Sequence, residues 1–247
     1  RLAELNASLG KMAETLAAAD KLITKFPDAR YVPAALLLKA EAQFVDGKAG
    51  QAKKTLEAVT QLVAERGISE RWDLDAKIAI IVFDGSLSGK QRRGALSRVA
   101  TQAGSKFASV RNRAQAIGAE SLLEEKDFDT AKTVFERVAK DSKSDHRTLA
   151  IAWSGLGDCH YQAGVVSFGE GNAARLQEAL KAYMRVVVLY KGESAYVGRA
   201  MFYAGRIYTL METEEASENA KKLFGAVIRQ FPGTKWAQEA RGFAKKR

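Results

Sequence analysis

The chain has little cysteine, histidine or proline: its 247 residues include one cysteine, two histidines and three prolines. The single cysteine, Cys159, excludes an internal disulfide framework, and two histidines leave too few soft ligands for a closed zinc site. Cysteine usage therefore leaves the redox compartment open. We expect no metal and no other cofactor.

Long apolar runs are also lacking. The longest candidate, IAIIVF at residues 78–83, is far shorter than the roughly 18 residues that a membrane-spanning helix requires, so we expect no transmembrane segment. The sequence begins at Arg1 without a methionine or a signal-like segment. We interpret this as a trimmed or processed N-terminus that has lost its targeting information, and the residues alone therefore leave the location open.

The residues that are abundant point to helices. Hydrophobic residues make up 47% and charged residues 28% of the chain, which is enough apolar material for a substantial core. Alanine, leucine, lysine, glutamate and arginine are common, whereas only 20 glycines and three prolines are present. This composition favours helices over turn-rich hairpins, and we predict an all-α fold.

Two similar phrases stand near the two ends of the chain, LITKFPDARYVPAA at 22–35 and VIRQFPGTKWAQEA at 227–240. Each has Phe-Pro, a short polar stretch, an aromatic residue and alanine. Weaker versions recur between them, with one ring at the same place in each: Tyr31, Trp72, Phe107, His146, Tyr196 and Trp236. The ring spacings of 41, 35, 39, 50 and 40 residues are typical of a repeated helical hairpin with insertions.

Two helices fit between successive rings. WSGLGDCH, residues 153–160, has the W-x2-L-G-x2-Y pattern of a tetratricopeptide first helix, with His160 in the tyrosine position. The second helices share an alanine followed four positions later by a large apolar residue: Ala52 and Leu56, Ala95 and Val99, Ala131 and Phe135, Ala179 and Tyr183, and Ala220 and Phe224. Small residues fit the close crossing of each helix pair, at Ala40, Gly118, Gly157 and Gly205.

On these residues the chain resembles tetratricopeptide repeat (TPR) proteins over essentially its whole length. FPDARYVPAALLLKAEAQF and SAYVGRAMFYAGRIY are similar to the bacterial subgroup that includes the Tol-Pal coordinator protein and the TPR lipoprotein of the outer-membrane β-barrel assembly machinery. The resemblance implies a right-handed α-α superhelix, a TPR solenoid with about five full hairpins and partial terminal ones. It implies one domain, 1–247, with units at about 1–27, 28–67, 68–104, 105–143, 144–192 and 193–233 and a terminal helix at 234–247. The fifth unit has extra length at 165–175.

The repeated phrase is interpreted as a joint between helix pairs. The phenylalanine of each copy ends a second helix, and the proline stops that helix because it lacks an amide donor. Tyr31 or Trp236 is then expected to fill the seam between adjacent units. We therefore predict that either Tyr31→Ala or Trp236→Ala lowers the melting temperature.

One stretch resembles a phosphate-binding loop, IAIIVFDGSLSGK at 78–90. Its spacing fails, because three residues separate Gly85 from Gly89 where the loop needs four, and Gln91 replaces the magnesium-binding serine or threonine. The favoured interpretation is a first helix over 72–84 and a turn over 85–91.

Cys159 and His160 are adjacent, so on a helix their side chains point about 100° apart and cannot form a nucleophile and base pair. Cysteine in such a position is most often a small buried residue. The acidic pairs Glu124-Glu125 and Glu214-Glu215 lie near predicted helix ends, where solvated charge is the ordinary explanation. We identify no active site and predict a protein that is not an enzyme.

The chain is basic, with 39 lysines and arginines against 29 acidic residues and a net charge of +10. Such a surface could meet nucleic acid, anionic lipid headgroups or acidic protein segments. The basic residues are, however, spread over all units and interleaved with acids, as on a solvated helix face. We therefore favour a protein partner, with an anionic surface such as nucleic acid as the alternative.

A stack of helical hairpins offers a surface rather than a reaction site, and its first helices are expected to line the concave side. Counting from the crossing positions gives eight candidate partner-binding residues: Lys77, Asn112, Gln115, Asp158, Tyr161, Arg199, Phe202 and Arg206. Arg199, Arg206, Phe202 and Tyr161 are favoured among them, because aromatic and arginine side chains dominate interface energetics. The alternative is that each simply faces solvent or a neighbouring helix.

The expected partner is another protein or a peptide segment, and an acidic one would suit the basic surface. The set of lysines and asparagines with which some TPR domains hold a C-terminal carboxylate is not found at the matching positions. The bacterial resemblance implies a scaffold of the cell envelope, in the periplasm or at the outer membrane, with the cytoplasm as the alternative. The oligomeric state stays open.

Overall fold

The computed structural model describes residues 2–8, 10–166, 171–211 and 213–245. Within these ranges it has thirteen α-helices and no β-strand, so the predicted all-α class is confirmed. The helices are α1 (Leu2–Ser8), α2 (Met12–Lys25), α3 (Val32–Val45), α4 (Ala49–Arg66), α5 (Arg71–Phe83), α6 (Gly89–Ala103), α7 (Ala108–Glu124), α8 (Phe128–Lys140), α9 (His146–Val166), α10 (Gly171–Leu189), α11 (Ser194–Leu210), α12 (Glu214–Gln230) and α13 (Lys235–Lys245).

The chain divides into two compact units, Arg1–Ser121 and Leu122–Arg247, and α7 crosses the division. Consecutive helices pack against one another from α1 through α6 and from α8 through α13. Helices two apart also pack, as α3 does with α5, and α11 with both α9 and α13. This pattern is that of a helical repeat, in which each hairpin buries its apolar face against its neighbours.

Each predicted unit range contains two helices, and the terminal range contains α13. The assignment of all these ranges to one domain stays a prediction. The extra length predicted at 165–175 falls on the end of α9 and the start of α10, and residues 167–170 within it lie outside the described residues.

The alanine and large-residue pairs of the second helices form the core. In α4, α8, α10 and α12 both members of the pair are buried, as in the case of Phe135 and Tyr183, which are both 0% exposed. In α6, Val99 is buried at 6% exposure, but Leu96, at 1% exposure, is buried in place of the half-buried Ala95. The larger leucine takes the inward place because it buries more apolar area there.

The glycines at the predicted helix crossings differ in how much space a side chain would have. A Cβ atom at Gly157 would lie 2.5 Å from the Tyr183 ring, and one at Gly205 would lie 2.8 Å from the Phe224 ring. At Gly118 the nearest atom would be 3.8 Å away, in the Arg93 side chain, which is ordinary contact. The close crossing is therefore confirmed for α9 with α10 and for α11 with α12.

Both copies of the Phe-Pro phrase adopt the same joint. The amides of Phe26 and Phe231 donate to the carbonyl four residues earlier, and their carbonyls accept from the amide three residues later, at 2.9–3.1 Å. The first copy connects α2 to α3 and the second connects α12 to α13. The sequence interpretation of this phrase as a helix-ending turn is confirmed.

The two rings after these joints differ in burial. Trp236 is half-buried and packs near Phe202, with ring centroids 5.6 Å apart. Tyr31 is 55% exposed and its ring lies beside the guanidinium of Arg30. The prediction that Tyr31 fills a seam is wrong, because the neighbouring Val32, only 4% exposed, occupies the inward position.

The near-miss phosphate loop is a helix start. The α5 helix ends at Phe83, and α6 begins at Gly89 with Ser88 as its cap. The Gln91 side chain accepts a hydrogen bond from the Ser88 amide at 2.9 Å, while the Ser88 hydroxyl accepts from the Gln91 amide. This capping box starts the helix earlier than predicted, so the turn is 84–88 rather than 85–91.

Candidate partner-binding face

Five of the predicted residues belong to the second compact unit, Leu122–Arg247, and lie on two adjacent first helices. Asp158 and Tyr161 belong to α9, and Arg199, Phe202 and Arg206 belong to α11. The α11 helix packs between α9 and α13, so side chains from all three helices meet on one face. They form two rows that cross α11, one through each arginine.

The first row, which we name the Asp158 row, consists of Asp158, Arg199 and Trp236. Asp158 is 7% exposed and accepts hydrogen bonds from the Arg199 guanidinium and, at 2.7 Å, from the Tyr183 hydroxyl. The Arg199 Cζ atom lies 6.0 Å from the Trp236 ring centroid. An arginine of α11 is thus held between a carboxylate of α9 and a ring of α13.

The second row, the Arg206 row, consists of Tyr161, Arg206 and Phe243. The Arg206 Cζ atom lies 5.7 Å from the Tyr161 ring centroid and 5.5 Å from the Phe243 ring centroid, within the range of cation–π attraction. Arg206 is half-buried. Within the part of the chain that the structure describes, no carboxylate forms an ion pair with it.

Burial sets the ionisation of the groups around these arginines. Burial raises the pKa of Asp158 above its ordinary value, and the Arg199 charge and the Tyr183 hydrogen bond only partly offset that rise. Burial likewise raises the pKa of Tyr161 and of Tyr183, with the nearby Asp158 charge adding to the effect at Tyr183. Both phenols are therefore neutral near pH 7, and Tyr161 supplies no negative charge to Arg206.

Phe202 lies behind the rows rather than on their surface. It is 0% exposed, and four rings surround it with centroids 5.4–6.0 Å away: Tyr203, Phe224, Trp236 and Phe243. Tyr161 is also almost fully buried, at 3% exposure. These two predicted residues support the face from within, because they present almost no surface that a partner could touch.

The three remaining candidates belong to the first compact unit, Arg1–Ser121. The Lys77 ammonium pairs with Asp73 at 2.8 Å and donates to Gln102 at 3.3 Å. Asn112 is 2% exposed, and its side-chain oxygen accepts from the guanidinium of Arg111. Gln115 is half-buried on α7. Whether any of the eight residues binds a partner stays a prediction.

The sequence reasoning missed an acid and arginine pair that recurs between first helices. In the first compact unit, Asp75 of α5 pairs with Arg113 of α7 at 2.9 Å. In the second compact unit, Asp158 of α9 pairs with Arg199 of α11 in the same way. The partners are 38 and 41 residues apart in the chain. That spacing, about one repeat period, was the signal that could have identified the pairs.

A groove lies next to the Arg206 row. It has a volume of about 390 Å³ and is bounded by side chains of α11, α12 and α13: Thr209, Ser217, Ala220, Lys221, Phe224, Gly225, Phe243 and Ala244. Phe243 belongs to both the groove and the row. The groove is mainly apolar, and Lys221 is the one charged residue among these lining residues.

The cysteine and histidine of α9 are poorly placed for chemistry. Cys159 is buried, and burial together with the neighbouring Asp158 charge raises the pKa of its thiol to about 12. Burial lowers the pKa of His160. The thiolate that a nucleophilic cysteine requires is therefore strongly disfavoured near pH 7.

The described ranges contain neither a candidate metal site nor a candidate membrane-spanning helix. No group of three or more histidine, cysteine, aspartate or glutamate side chains there is arranged to hold a metal ion. No helix in those ranges combines the length and apolar character needed to cross a bilayer. Comparison of the chain with protein-family models, with curated proteins and with solved structures found no match.

Proposed function

We propose that this protein is a non-enzymatic scaffold that binds a segment of another protein along the first-helix face of its repeats. The observation that carries the proposal is the Arg206 row, where a half-buried arginine lies between two rings without an ion pair in the described residues. Arginine and aromatic side chains dominate the energetics of protein interfaces. A helical repeat also offers the extended surface that such binding uses.

The resemblance to tetratricopeptide repeat proteins supports the finer parts of this proposal. In that family the first helices line the concave side of the stack, where partner segments lie. The likeness of FPDARYVPAALLLKAEAQF to the bacterial subgroup further suggests a role in envelope assembly, with the protein in the periplasm or associated with the outer membrane.

Site-specific photo-crosslinking in native cells tests the proposal. A photo-reactive residue at Glu239, exposed on α13 between Trp236 and Phe243, reports on the first-helix face. The same residue at Arg137, exposed on α8, is the matched control on a second helix. We expect mass spectrometry to identify a defined protein crosslinked at position 239 and not at position 137.

The effect of charge reversal provides the second arm. Arg206→Glu should abolish the crosslink at position 239, because the reversal places a negative charge at the centre of the face. Equal protein crosslinking at both positions, or crosslinking to nucleic acid alone, would contradict the scaffold proposal. The latter outcome would support the anionic-surface alternative.

A further inference from the structure

The Asp158 row and the Arg206 row have the same layout but differ in one chemical group. In each, an arginine of α11 lies beside a ring of α13 and a side chain of α9. In the Asp158 row the α9 side chain is a carboxylate, whereas in the Arg206 row it is the phenol of Tyr161. The Asp158 row therefore shows which group completes such an arrangement, and the Arg206 row lacks that group among the described residues.

The surroundings of Arg206 favour binding of an added carboxylate. The Tyr161 and Phe243 rings on its two sides restrict the guanidinium before any ligand arrives, which reduces the entropy lost on binding. Half-burial also strengthens a charge-assisted hydrogen bond relative to one in bulk water. An arginine can bind both oxygens of one carboxylate.

The neighbouring groove indicates what accompanies that carboxylate. Phe243 contacts Arg206 and also lines the groove, and Thr209, one turn after Arg206, lines the same groove. The Thr209 hydroxyl donates to the Arg206 carbonyl at 2.7 Å, which fixes its place beside the row. The volume of about 390 Å³ is at the lower end of the range for small-ligand sites and suits one or two apolar side chains.

We propose that Arg206 binds the side-chain carboxylate of an aspartate or glutamate in a partner protein, and that a nearby apolar side chain of the same segment enters the groove beside Phe243. The inference rests on the proposed scaffold function and specifies the chemistry of its partner. Charge complementarity selects an acidic segment, because Arg206 forms no ion pair with a described residue, whereas Lys221 in the groove is already paired with Glu218 at 3.3 Å.

Binding of paired synthetic peptides tests the inference. Each fluorescently labelled peptide has blocked ends and one glutamate placed one to four residues from a leucine or phenylalanine, in a serine and glycine background. Its partner peptide has glutamine in place of that glutamate. With the wild-type protein we expect the glutamate peptides of at least one spacing to bind about tenfold or more tightly than their glutamine partners.

Two protein variants locate the effect. In Arg206→Gln the preference for glutamate over glutamine should disappear, whereas Arg137→Gln, an equal loss of charge on an exposed part of α8, should keep it. The comparison of glutamate with glutamine peptides on the wild-type protein does not depend on how well either variant folds. Equal binding of the two peptides, or no binding of either, would overturn the inference.

A third peptide arm separates the two sources of carboxylate. A glutamine peptide with a free C-terminus presents only a terminal carboxylate, and its binding at the level of the glutamate peptide would overturn the commitment to a side chain. The crosslink at position 239 distinguishes failure of the carboxylate inference from failure of the scaffold proposal. If Arg206→Gln keeps that crosslink while the peptides show no preference, the scaffold function stands and the carboxylate inference fails.

Discussion

At the scale of single residues, Gly157 has tightly restricted surroundings that a simple substitution can test. A methyl group there would lie 2.5 Å from the Tyr183 ring, which is itself 0% exposed and is held by the hydrogen bond from its hydroxyl to Asp158. We expect Gly157→Ala to lower the free energy of unfolding by about 1–3 kcal/mol, as overpacking of a core does. Urea unfolding followed by circular dichroism measures this.

Gly242→Ala is the matched control in the same unit. Gly242 is exposed within α13, and a Cβ atom there would meet nothing within 4 Å. Because alanine is a better helix former than glycine, this change should be neutral or stabilise the protein by up to about 1 kcal/mol. Equal effects at the two glycines would show that helix propensity, not the Tyr183 contact, decides the outcome.

The buried carboxylate of Asp158 gives a prediction about pH. Burial raises its pKa in the folded protein above the ordinary value of 3.8, so the folded state holds this proton more tightly than the unfolded state. The free energy of unfolding should therefore fall as pH rises from that ordinary value through the raised pKa. Asp158→Asn cannot titrate and should lack this part of the pH dependence.

Unfolding of the wild type and Asp158→Asn by urea at a series of pH values checks the prediction. If the wild type instead gains stability relative to Asp158→Asn over the same range, the ion pair with Arg199 outweighs the cost of burial.

At the scale of helices, the docking of α13 depends on Trp236. Its ring centroid lies 5.6 Å from the ring centroids of both Phe202 and Tyr203 of α11, whereas the equivalent ring of the first joint, Tyr31, is 55% exposed. We expect Trp236→Ala to cost about 2 kcal/mol or more and Tyr31→Ala less than about 0.5 kcal/mol. Thermal unfolding of the two variants compares them directly.

Equal effects of Trp236→Ala and Tyr31→Ala on the melting temperature would contradict this prediction. If Tyr31→Ala lowers the melting temperature as much as Trp236→Ala does, the first ring supports its joint in solution despite its exposure. The small contribution expected from the exposed Tyr31 ring would then be contradicted.

Helix positions and crossings could be predicted from the sequence because they depend on local patterns. The Phe-Pro joints depend on hydrogen bonds between residues close in the chain, and the small residues at Gly157 and Gly205 act within one helix pair. Exposure on the first helices could not be predicted in the same way. Phe202 is buried by Trp236 and Phe243, which follow it by 34 and 41 residues, and counting along α11 does not reveal that cover.

At the scale of the whole molecule, the net charge of +10 predicts weak binding to any polyanion. We expect the affinity for a labelled random single-stranded DNA of 20 nucleotides to fall about tenfold or more between 50 and 200 mM salt, because binding releases counterions. Arg206→Gln should change this affinity little, since it removes only one charge among many. Fluorescence anisotropy titrations measure both effects.

Tight binding that persists at 200 mM salt and depends on the DNA sequence would contradict this expectation. It would favour the nucleic-acid alternative over the protein scaffold, because non-specific attraction is strongly screened at that salt concentration.

The glycines of α9 have a further consequence for insertions and deletions. Gly157 faces Tyr183 of α10, and Gly155 faces Phe135 of α8, where a Cβ atom would overlap the ring. Two contacts on different sides of one helix fix its rotation about its own axis. One residue inserted between Gly157 and Tyr161 would keep both glycine contacts but turn Tyr161 by about 100° away from Arg206. Length changes in this short segment would therefore rearrange the binding face and also turn Gly164 away from its close contact with Leu176 of α10.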